Sequence, residues 1–348
     1  MPNDKPHIII LATGGTIAGL STNHKEYRPG ALSIDRLLDC LNCLDSTYPK
    51  LQARISTRQI ANIDSANMNN KIWLALIKEI NTLLNAKKSP HIDGIVITHG
   101  TDTLEESAYF LHLSLKSDKP IVLVGAMRPA NAPNSDGKSN LYNAIALACQ
   151  KNAKGVMVVM NEKIFSPRGL SKRHTLNIDA FNDFKDSKGD SSQIGWVKKG
   201  KVVLYANHTK SSDNVSHKPF VAPFCANDLT LKNLPKIDIL YTYSNDGSAV
   251  AAKALFKSGT QGLVIAGSGA GSIHKDHKKA LKKLIKRGLF VVVSSRINSG
   301  QVLLKRADKK AGFISALDLN PQKARILLML ALTQTKNKAK IQTYFKKY

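Results

Sequence analysis

The stretch that decides the fold is residues 8–19, which reads IIILATGGTIAG. Its first four residues are apolar and mostly β-branched, a pattern typical of a strand buried on both faces of a parallel sheet. Two glycines and a threonine follow shortly after, which predicts a tight turn at the carboxyl end of that strand. Ligands of open α/β sheets bind at this edge, so the hydroxyl of Thr16 is a candidate functional group.

A second stretch, residues 94–106, reads GIVITHGTDTLEE and repeats the arrangement with a more polar loop. Either stretch alone is as typical of a simple turn with a helix N-cap as of a functional site. Thr103 and Glu106 have capping-box spacing, which predicts a structural role for Thr103 and leaves Thr101 and Asp102 in the loop. Threonine is a weak nucleophile unless it is activated. Two hydroxyls beside a carboxylate therefore suggest that one attacks while the other relays a proton.

Apolar runs alternate with helical patterns along the chain, which predicts an α/β fold with parallel sheet flanked by helices. Strands are predicted at residues 7–11, 92–98, 121–124, 156–159, 237–241, 262–266 and 289–294, and helices at 34–44, 69–85, 104–114, 141–148, 249–258, 275–287 and 321–333. The length of 348 residues favours two domains. Serine, proline and polar residues interrupt the alternation at 206–235. We therefore predict a larger N-terminal domain at 1–205, a linker at 206–235 and a smaller C-terminal α/β domain at 236–348.

The chain is strongly basic, with 51 Lys and Arg against 25 Asp and Glu and a formal net charge of +26. Lysines concentrate at residues 275–287 and 336–347, in helical patterns whose other face is apolar. Such charge runs are typical of a solvated helix face. No aromatic interleaving or nucleic-acid motif accompanies them, so no specific nucleic-acid partner is predicted.

Several sequence features bear on the compartment. No apolar run reaches the roughly 18 residues that span a bilayer, so no membrane partner is predicted. Residues 1–7 are polar and lack the pattern of a secretory signal. Cys40 and Cys43 lie in a helical pattern and are interpreted as small core residues rather than as a metal or redox site. We expect a cytoplasmic protein, or a periplasmic one if a signal peptide has been removed.

Further motifs carry a family resemblance. They are VLVGAMRP at 122–129, SDG at 135–137, NLYNA at 140–144, VVMN at 158–161, SSR at 294–296 and LNPQKAR at 319–325. With the two threonine stretches, they resemble the bacterial-type L-asparaginase family over residues 8–348, and its type II branch most closely. The resemblance implies the two-domain fold of that family with the active site between the domains. It also implies hydrolysis of L-asparagine to L-aspartate and ammonia without a cofactor or metal, in a homotetramer built as a dimer of dimers.

The resemblance also implies catalytic roles for particular residues. Thr16 matches the nucleophile that forms a β-aspartyl ester, which water then cleaves. Thr101, Lys172 and Asp102 match a group in which the ammonium favours loss of a proton from the nearby hydroxyl and the carboxylate fixes the orientation. Tyr27 matches a tyrosine of the lid loop, whose closure excludes water.

A second set of positions matches the family's substrate-binding residues. Ser65 matches the serine that binds the substrate carboxylate, and Asp102 matches the acceptor for its α-amino group. Ala126 is assigned to the same binding site. Ser272 and Asp308 match positions that enter the site from a neighbouring subunit.

Two positions depart from the family pattern. Ala66 stands where Gln or Glu is usual, and Asp308 is one methylene shorter than the usual Glu. A lost charge-assisted hydrogen bond is worth roughly 1.5–3 kcal/mol, so ammonium binding should be weaker. The glycine run at 267–271 resembles a dinucleotide loop, but no acidic ribose ligand follows, so no nucleotide cofactor is predicted.

Three functions remain open at this point. L-Asparaginase is the leading interpretation. A mixed glutaminase-asparaginase is the alternative, because one methylene changes discrimination by only about 1–3 kcal/mol. A non-catalytic amino-acid or polyanion binder, suggested by Ala66 and the basic charge, is disfavoured by the intact set of Thr16, Thr101, Asp102 and Lys172.

Overall fold

The computed structural model describes residues 5–23, 26–39, 41, 44–85, 91–182, 191–205 and 222–348. The predictions for Cys40 and Cys43, and for residues 206–221 of the linker, lie outside these ranges. The described residues form two compact units. One unit ends at Asn227, and the other is Asp228–Tyr348.

The first unit is built on a large sheet with two small ribbons. Its strands are β1 (His7–Gly14), β2 (Leu20–Asn23), β3 (Glu26–Arg28), β4 (Arg54–Ile63), β5 (Gly94–Thr98), β6 (Pro120–Val124), β7 (Gly155–Met160), β8 (Lys163–Phe165), β9 (Ser171–Lys172), β10 (Phe181–Asn182), β11 (Gln193–Lys198) and β12 (Lys201–Leu204). The sheet has the order β12-β11-β8-β7-β6-β5-β1-β4, and the pairs β2–β3 and β9–β10 form separate ribbons. Strands β4, β1, β5, β6 and β7 are mutually parallel, so the loops after them leave the sheet at one edge.

Helices cover this sheet. They are α1 (Ile34–Asp39), α2 (Asn70–Asn85), α3 (Leu104–Ser114) and α4 (Gly137–Ala148). Every residue of β1, β5 and β6 is buried, as expected for central parallel strands with helices on both faces. Trp73 of α2 stacks on Phe110 of α3 with ring centroids 4.6 Å apart. Burial of such side chains is worth about 1.5–3 kcal/mol each, which makes this layer the rigid support of the loops above it.

The second unit repeats the plan on a smaller scale. It contains β13 (Ile237–Tyr241), β14 (Gly262–Gly267), β15 (Phe290–Ser295), β16 (Phe313–Ser315), α5 (Ser248–Lys257), α6 (Lys275–Lys286), α7 (Arg306–Lys310), α8 (Pro321–Gln334) and α9 (Lys338–Lys347). Its four strands are parallel and lie in chain order. In α6, Leu281, Leu284 and Ile285 are buried. Its lysines line a groove of about 460 Å³ together with Ala311.

The predicted α/β class is confirmed, and each predicted strand and helix has a counterpart at nearly the same place. The first unit has a mostly parallel sheet and the second a parallel one. The helix predicted at 34–44 is shorter, since α1 ends at Asp39. Strand β4 was not predicted, because it lies at the sheet edge and its sequence RISTRQIANI is too polar to read as a buried strand. Among the described helices, none is both long and apolar enough to cross a membrane.

Candidate active site

Glycines bring the two threonine loops into contact. Gly15 has a φ of 82°, a conformation that favours glycine. A Cβ on Gly15 would lie 2.3 Å from the Cα of Gly100, so only glycine allows this approach. Gly15 and Gly100 immediately precede Thr16 and Thr101, and their strands β1 and β5 are neighbours. The structure therefore brings together the two loops that the sequence singled out.

Ser65 joins them from the next strand. It follows β4, the other neighbour of β1, and is 3% exposed. A Cβ on Gly100 would lie 2.6 Å from the Ser65 hydroxyl oxygen. The Thr103 hydroxyl donates to the Ser65 carbonyl at 2.8 Å and makes no cap hydrogen bond to α3. Thr103 thus has the structural role that the sequence predicted, but its hydroxyl connects the two loops instead of forming the cap bond of a capping box.

Lys172 faces both polar groups of the second threonine loop. Its Nζ lies 2.9 Å from Thr101 Oγ1 and 2.5 Å from Asp102 Oδ1. Thr101 is buried, the lysine side chain is 18% exposed and that of Asp102 is 61% exposed. An ammonium this close stabilises negative charge that develops on the threonine oxygen. The arrangement can therefore activate a hydroxyl or transfer a proton.

The backbone N–H of Lys172 is also bonded. It donates to Glu105 Oε2 at 2.9 Å, and Glu105 is 6% exposed. Lys172 lies in β9, where it pairs with Phe181 of β10. The ribbon and the first turn of α3 together fix the position of this lysine.

A buried histidine lies behind the loop. His99 Nδ1 is 2.6 Å from the Gly100 carbonyl, and its Nε2 is 2.8 Å from the Ser107 hydroxyl. The carbonyl only accepts, so Nδ1 carries the proton and Nε2 accepts from Ser107, which in turn accepts from Trp73 Nε1 at 2.8 Å. Burial lowers the pKa of His99 to about 4, so the ring is neutral at pH 7. This chain connects the loop to the packed layer beneath it.

Ala126 lies in the loop after β6 and is fully buried. The Asp136 carboxylate accepts the backbone N–H groups of Met127 and Arg128, each at 3.0 Å. The amide of Asn140 donates both to Asp136 at 2.9 Å and to the Gly125 carbonyl at 3.1 Å. The motif around residues 135–140 thus fixes the loop that carries Ala126.

The structure locates the remaining predicted site residues, Tyr27, Ser272 and Asp308, but none of their contacts shows a catalytic or binding role. Tyr27 lies in β3, opposite Ser21 of β2, and its side chain is outside the described part of the structure. Ser272 is an exposed residue of the turn after β14, where it bridges to Ser268. Asp308 lies in α7 and accepts a hydrogen bond from Lys278 Nζ at 2.7 Å. Ser272 and Asp308 belong to the second unit.

Sequence reasoning gave no role to His99, Ser107, Glu105 or Asp136. His99 and Glu105 belong to the second threonine stretch, and Asp136 belongs to the SDG motif at 135–137. The sequence therefore drew attention to these segments without assigning these residues a role. Glu105 and its partner Lys172 are 67 positions apart, so spacing alone does not reveal their contact. The partners of His99 and Asp136 are near in sequence, but local spacing does not show which groups bond to them. Within the described residues, no group of three or more His, Cys, Asp or Glu side chains could hold a metal ion.

Similarity to known proteins covers both units. The family model Asparaginase, N-terminal, matches residues 7–210, and the model Glutaminase/Asparaginase C-terminal domain matches residues 236–345. The chain is 42% identical to L-asparaginase 2 of Bacillus subtilis, over 99% of this chain and 87% of that protein. It is 41% identical to the probable periplasmic L-asparaginase of Haemophilus influenzae, over 99% and 94% of the two chains.

A solved structure is also similar. It is the probable cytoplasmic L-asparaginase from Campylobacter jejuni, which matches with a TM-score of 0.87 and 54% identity, over 99% of this chain and all of that one. Fold, site and these matches define a two-domain α/β amidohydrolase. The chain belongs to the asparaginase family.

Proposed function

We propose that this enzyme hydrolyses L-asparagine to L-aspartate and ammonia with Thr16 as the nucleophile. The Thr16 oxygen attacks the side-chain amide carbon, the C–N bond breaks, and the nitrogen leaves as ammonia after taking up a proton. Water then cleaves the resulting β-aspartyl ester and restores the Thr16 hydroxyl. The observation that carries this proposal is the contact of Lys172 with Thr101 and Asp102 in the loop that touches the Thr16 turn.

Thr101, Lys172 and Asp102 serve as the proton-transfer group in this proposal. Lys172 Nζ donates to Thr101 Oγ1, which frees the Thr101 hydroxyl proton for transfer to the departing amine. Thr101 then takes up the proton that Thr16 loses on attack, so its hydroxyl is restored. Asp102 compensates the lysine charge at 2.5 Å. Because its carboxylate is largely exposed, Asp102 also remains able to accept from the substrate ammonium. Tyr27 completes the site from the loop after Thr16.

Substrate recognition follows from the same edge of the sheet. The buried Ser65 hydroxyl lies beside Gly100 and supplies a donor for the substrate carboxylate. Ala126 forms part of the wall beside the second loop, where Gly125 approaches Thr101. Ser272 and Asp308 reach the site from a neighbouring subunit, which makes the active form an oligomer, and a homotetramer in our proposal.

Compartment and domain limits complete the proposal. We place the enzyme in the cytoplasm, because the similar structure from Campylobacter jejuni is named a probable cytoplasmic L-asparaginase. We place the domain limits at 1–205 and 236–348, with the linker between them. The proposed oligomer is testable by mixing Thr16→Val protein with Asp308→Ala protein. Hybrid oligomers should recover part of the activity. No recovery, with subunit exchange confirmed by native mass spectrometry, would contradict a site shared between chains.

The function is tested by ammonia release from L-asparagine and L-glutamine, measured side by side on purified protein. Thr16→Val should abolish release with little change in melting temperature, since valine keeps the shape and removes the hydroxyl. The matched control is Thr82→Val, on the exposed face of α2, which should keep wild-type kcat. Normal turnover by Thr16→Val would remove this residue from the mechanism.

The same assay decides the alternative, a mixed glutaminase-asparaginase. The match of the C-terminal region to a glutaminase/asparaginase domain favours testing it. Similar kcat/KM for both amides would establish the mixed activity, and a ratio above about 100 in favour of asparagine would exclude it.

A further inference from the structure

One carboxylate close to the site has no part in the proposed reaction. Glu105 lies in the first turn of α3 and is 6% exposed. Burying a carboxylate is costly unless charge-assisted hydrogen bonds compensate it. A surface position in the same turn would give the helix N-terminus the same favourable charge without that cost. The burial therefore calls for a partner that uses the carboxylate.

One partner of this carboxylate is the lysine of the proton-transfer group. Glu105 Oε2 accepts the backbone N–H of Lys172 at 2.9 Å. The other end of the same lysine contacts Thr101 Oγ1 at 2.9 Å and Asp102 Oδ1 at 2.5 Å. Residues 101–105 therefore bind Lys172 at its ammonium and at its backbone.

The strand that carries Lys172 needs such a contact. Strand β9 has two residues and pairs only with β10 in the described sheets, apart from the eight-stranded sheet that supports Thr101. A two-stranded ribbon is marginally stable by itself, so its position relative to a separate sheet depends on packing and on bonds such as this one. The bond from Glu105 connects the ribbon directly to α3, which begins three residues after Thr101.

The geometry points to Glu105 as a positioning residue that keeps the Lys172 ammonium within hydrogen-bond distance of Thr101. This inference rests on the proposed role of Lys172. Glu105 acts through the lysine backbone and not on the substrate. A displacement of about 1 Å in a catalytic group can cost on the order of 100-fold in rate, so loss of this contact should lower kcat more than it changes KM.

Three substitutions separate this role from a merely structural one. Glu105→Met removes the acceptor at similar volume and should lower kcat by about 10- to 100-fold per folded molecule. Glu105→Gln keeps an acceptor oxygen and should restore kcat to within about fivefold of wild type. Glu106→Gln, which neutralises the adjacent carboxylate, is the matched control and should leave kcat unchanged. Should Glu105→Met fail to fold, Glu105→Asp replaces it, because it keeps the charge and withdraws the oxygen by one methylene.

The measurements are kcat and KM for asparagine, with melting temperature as the stability control, in wild-type and Lys172→Met backgrounds. Once Lys172 is gone, Glu105→Met should lower kcat no further, because both changes act through one group. An unchanged kcat in Glu105→Met or Glu105→Asp, alongside an inactive Lys172→Met, would overturn the positioning role alone. Inactive wild type, or full activity in Lys172→Met, would overturn the proposed function first and this inference with it.

Discussion

Each unit contains a close lysine–aspartate pair, and the two pairs are buried in opposite order. In the first unit Lys172 is 18% exposed and Asp102 61%, whereas in the second Lys278 is 30% exposed and Asp308 11%. Lys172 also contacts the Thr101 hydroxyl, while Lys278 extends from a helix whose other lysines line an open groove. An inward lysine with a hydroxyl beside it suits proton transfer. An inward carboxylate held by a lysine of the neighbouring helix is fixed in orientation instead, which suits the binding role proposed for Asp308 and also attaches α7 to α6. The role of a lysine–aspartate pair in this protein thus depends on whether the lysine or the aspartate is the buried member.

The largest expected effect is on kcat, and it distinguishes the Lys172–Asp102 pair from an ordinary ion pair. Lys172→Met should lower kcat by about two or more orders of magnitude, the scale of losing a proton-transfer partner. Lys163→Met is the control, because Lys163 also contacts a carboxylate, Asp179, at 2.7 Å without a place in the proposed mechanism. Steady-state kinetics on both variants checks this. A change confined to KM in Lys172→Met would make that lysine a binding residue.

The next effect is on the pH dependence of stability, and it concerns His99, which lies behind the loop that carries Thr101 and Asp102. His99 has a pKa of about 4 in the folded protein because of burial, against 6.5 for an ordinary histidine. Between pH 4 and pH 6.5 the histidine is protonated in the unfolded chain but neutral in the folded protein, so the unfolded chain binds more protons. The contribution of His99 to the free energy of unfolding is therefore complete above pH 6.5 and is lost as the pH falls to 4. The loss is about 3 kcal/mol.

Melting curves from pH 7 to pH 4 test this contribution. His99→Asn keeps a donor for the Gly100 carbonyl but cannot titrate, so its melting temperature should fall less steeply with acid than that of wild type. His91→Asn, which removes an exposed histidine, is the matched control. Equal slopes in wild type and His99→Asn would contradict a neutral buried ring.

The second pair should show its effect in stability. Lys278→Met leaves the mostly buried Asp308 carboxylate without this partner, which should cost about 1–2 kcal/mol, since the lysine itself is partly exposed. Lys279→Met, on the same helix face, is the control and should change stability little. Melting temperatures and kcat of both variants are the readouts. A hundredfold fall in kcat for Lys278→Met would erase the contrast between the two pairs.

The smallest effect is on KM, and it concerns the exposed Asp102 carboxylate of the Lys172–Asp102 pair. Asp102 is largely exposed, and the exposed Ala66 supplies no second acceptor for the substrate ammonium. Ala66→Gln should lower KM for asparagine modestly, since a hydrogen bond nets about 0.5–1.5 kcal/mol, and should lower KM for glutamine more. Matched saturation curves for both substrates check this. An unchanged or raised KM for both would mean that another group already serves the ammonium.

Local patterns predicted the parts of the fold that are buried on both sides. The central strands β1, β5 and β6 are continuous apolar runs, and such runs have few alternatives to burial. The edge strand β4 was missed because half of its surroundings are solvent, so its composition resembles a loop. Missing this strand did not affect the assignment of Thr16 and Thr101, which follow β1 and β5. Ser65 follows β4, so its assignment to the site depended on the family resemblance alone.

Lys172 shows the limit of local reasoning at the site. It lies among Ser171, Arg173 and His174, and no spacing marks it as different from other exposed basic residues. Its place beside Thr101 depends on a two-residue ribbon and on a bond to Glu105. Thr103 shows the converse, because a clear local motif predicted a cap and the hydroxyl bonded to Ser65 instead.

The sequence by itself determined the alternation of strands and helices and the position of Thr16, Thr101 and Asp102 at the ends of buried strands. These follow from periodicity and glycine placement, which act over a few residues. Only the tertiary structure decided which lysine faces Thr101, which carboxylate binds that lysine's backbone, and why His99 stays neutral. Those outcomes depend on burial and on hydrogen bonds between residues tens of positions apart, and the free energy of such contacts is set by the packed surroundings rather than by the neighbours in the chain.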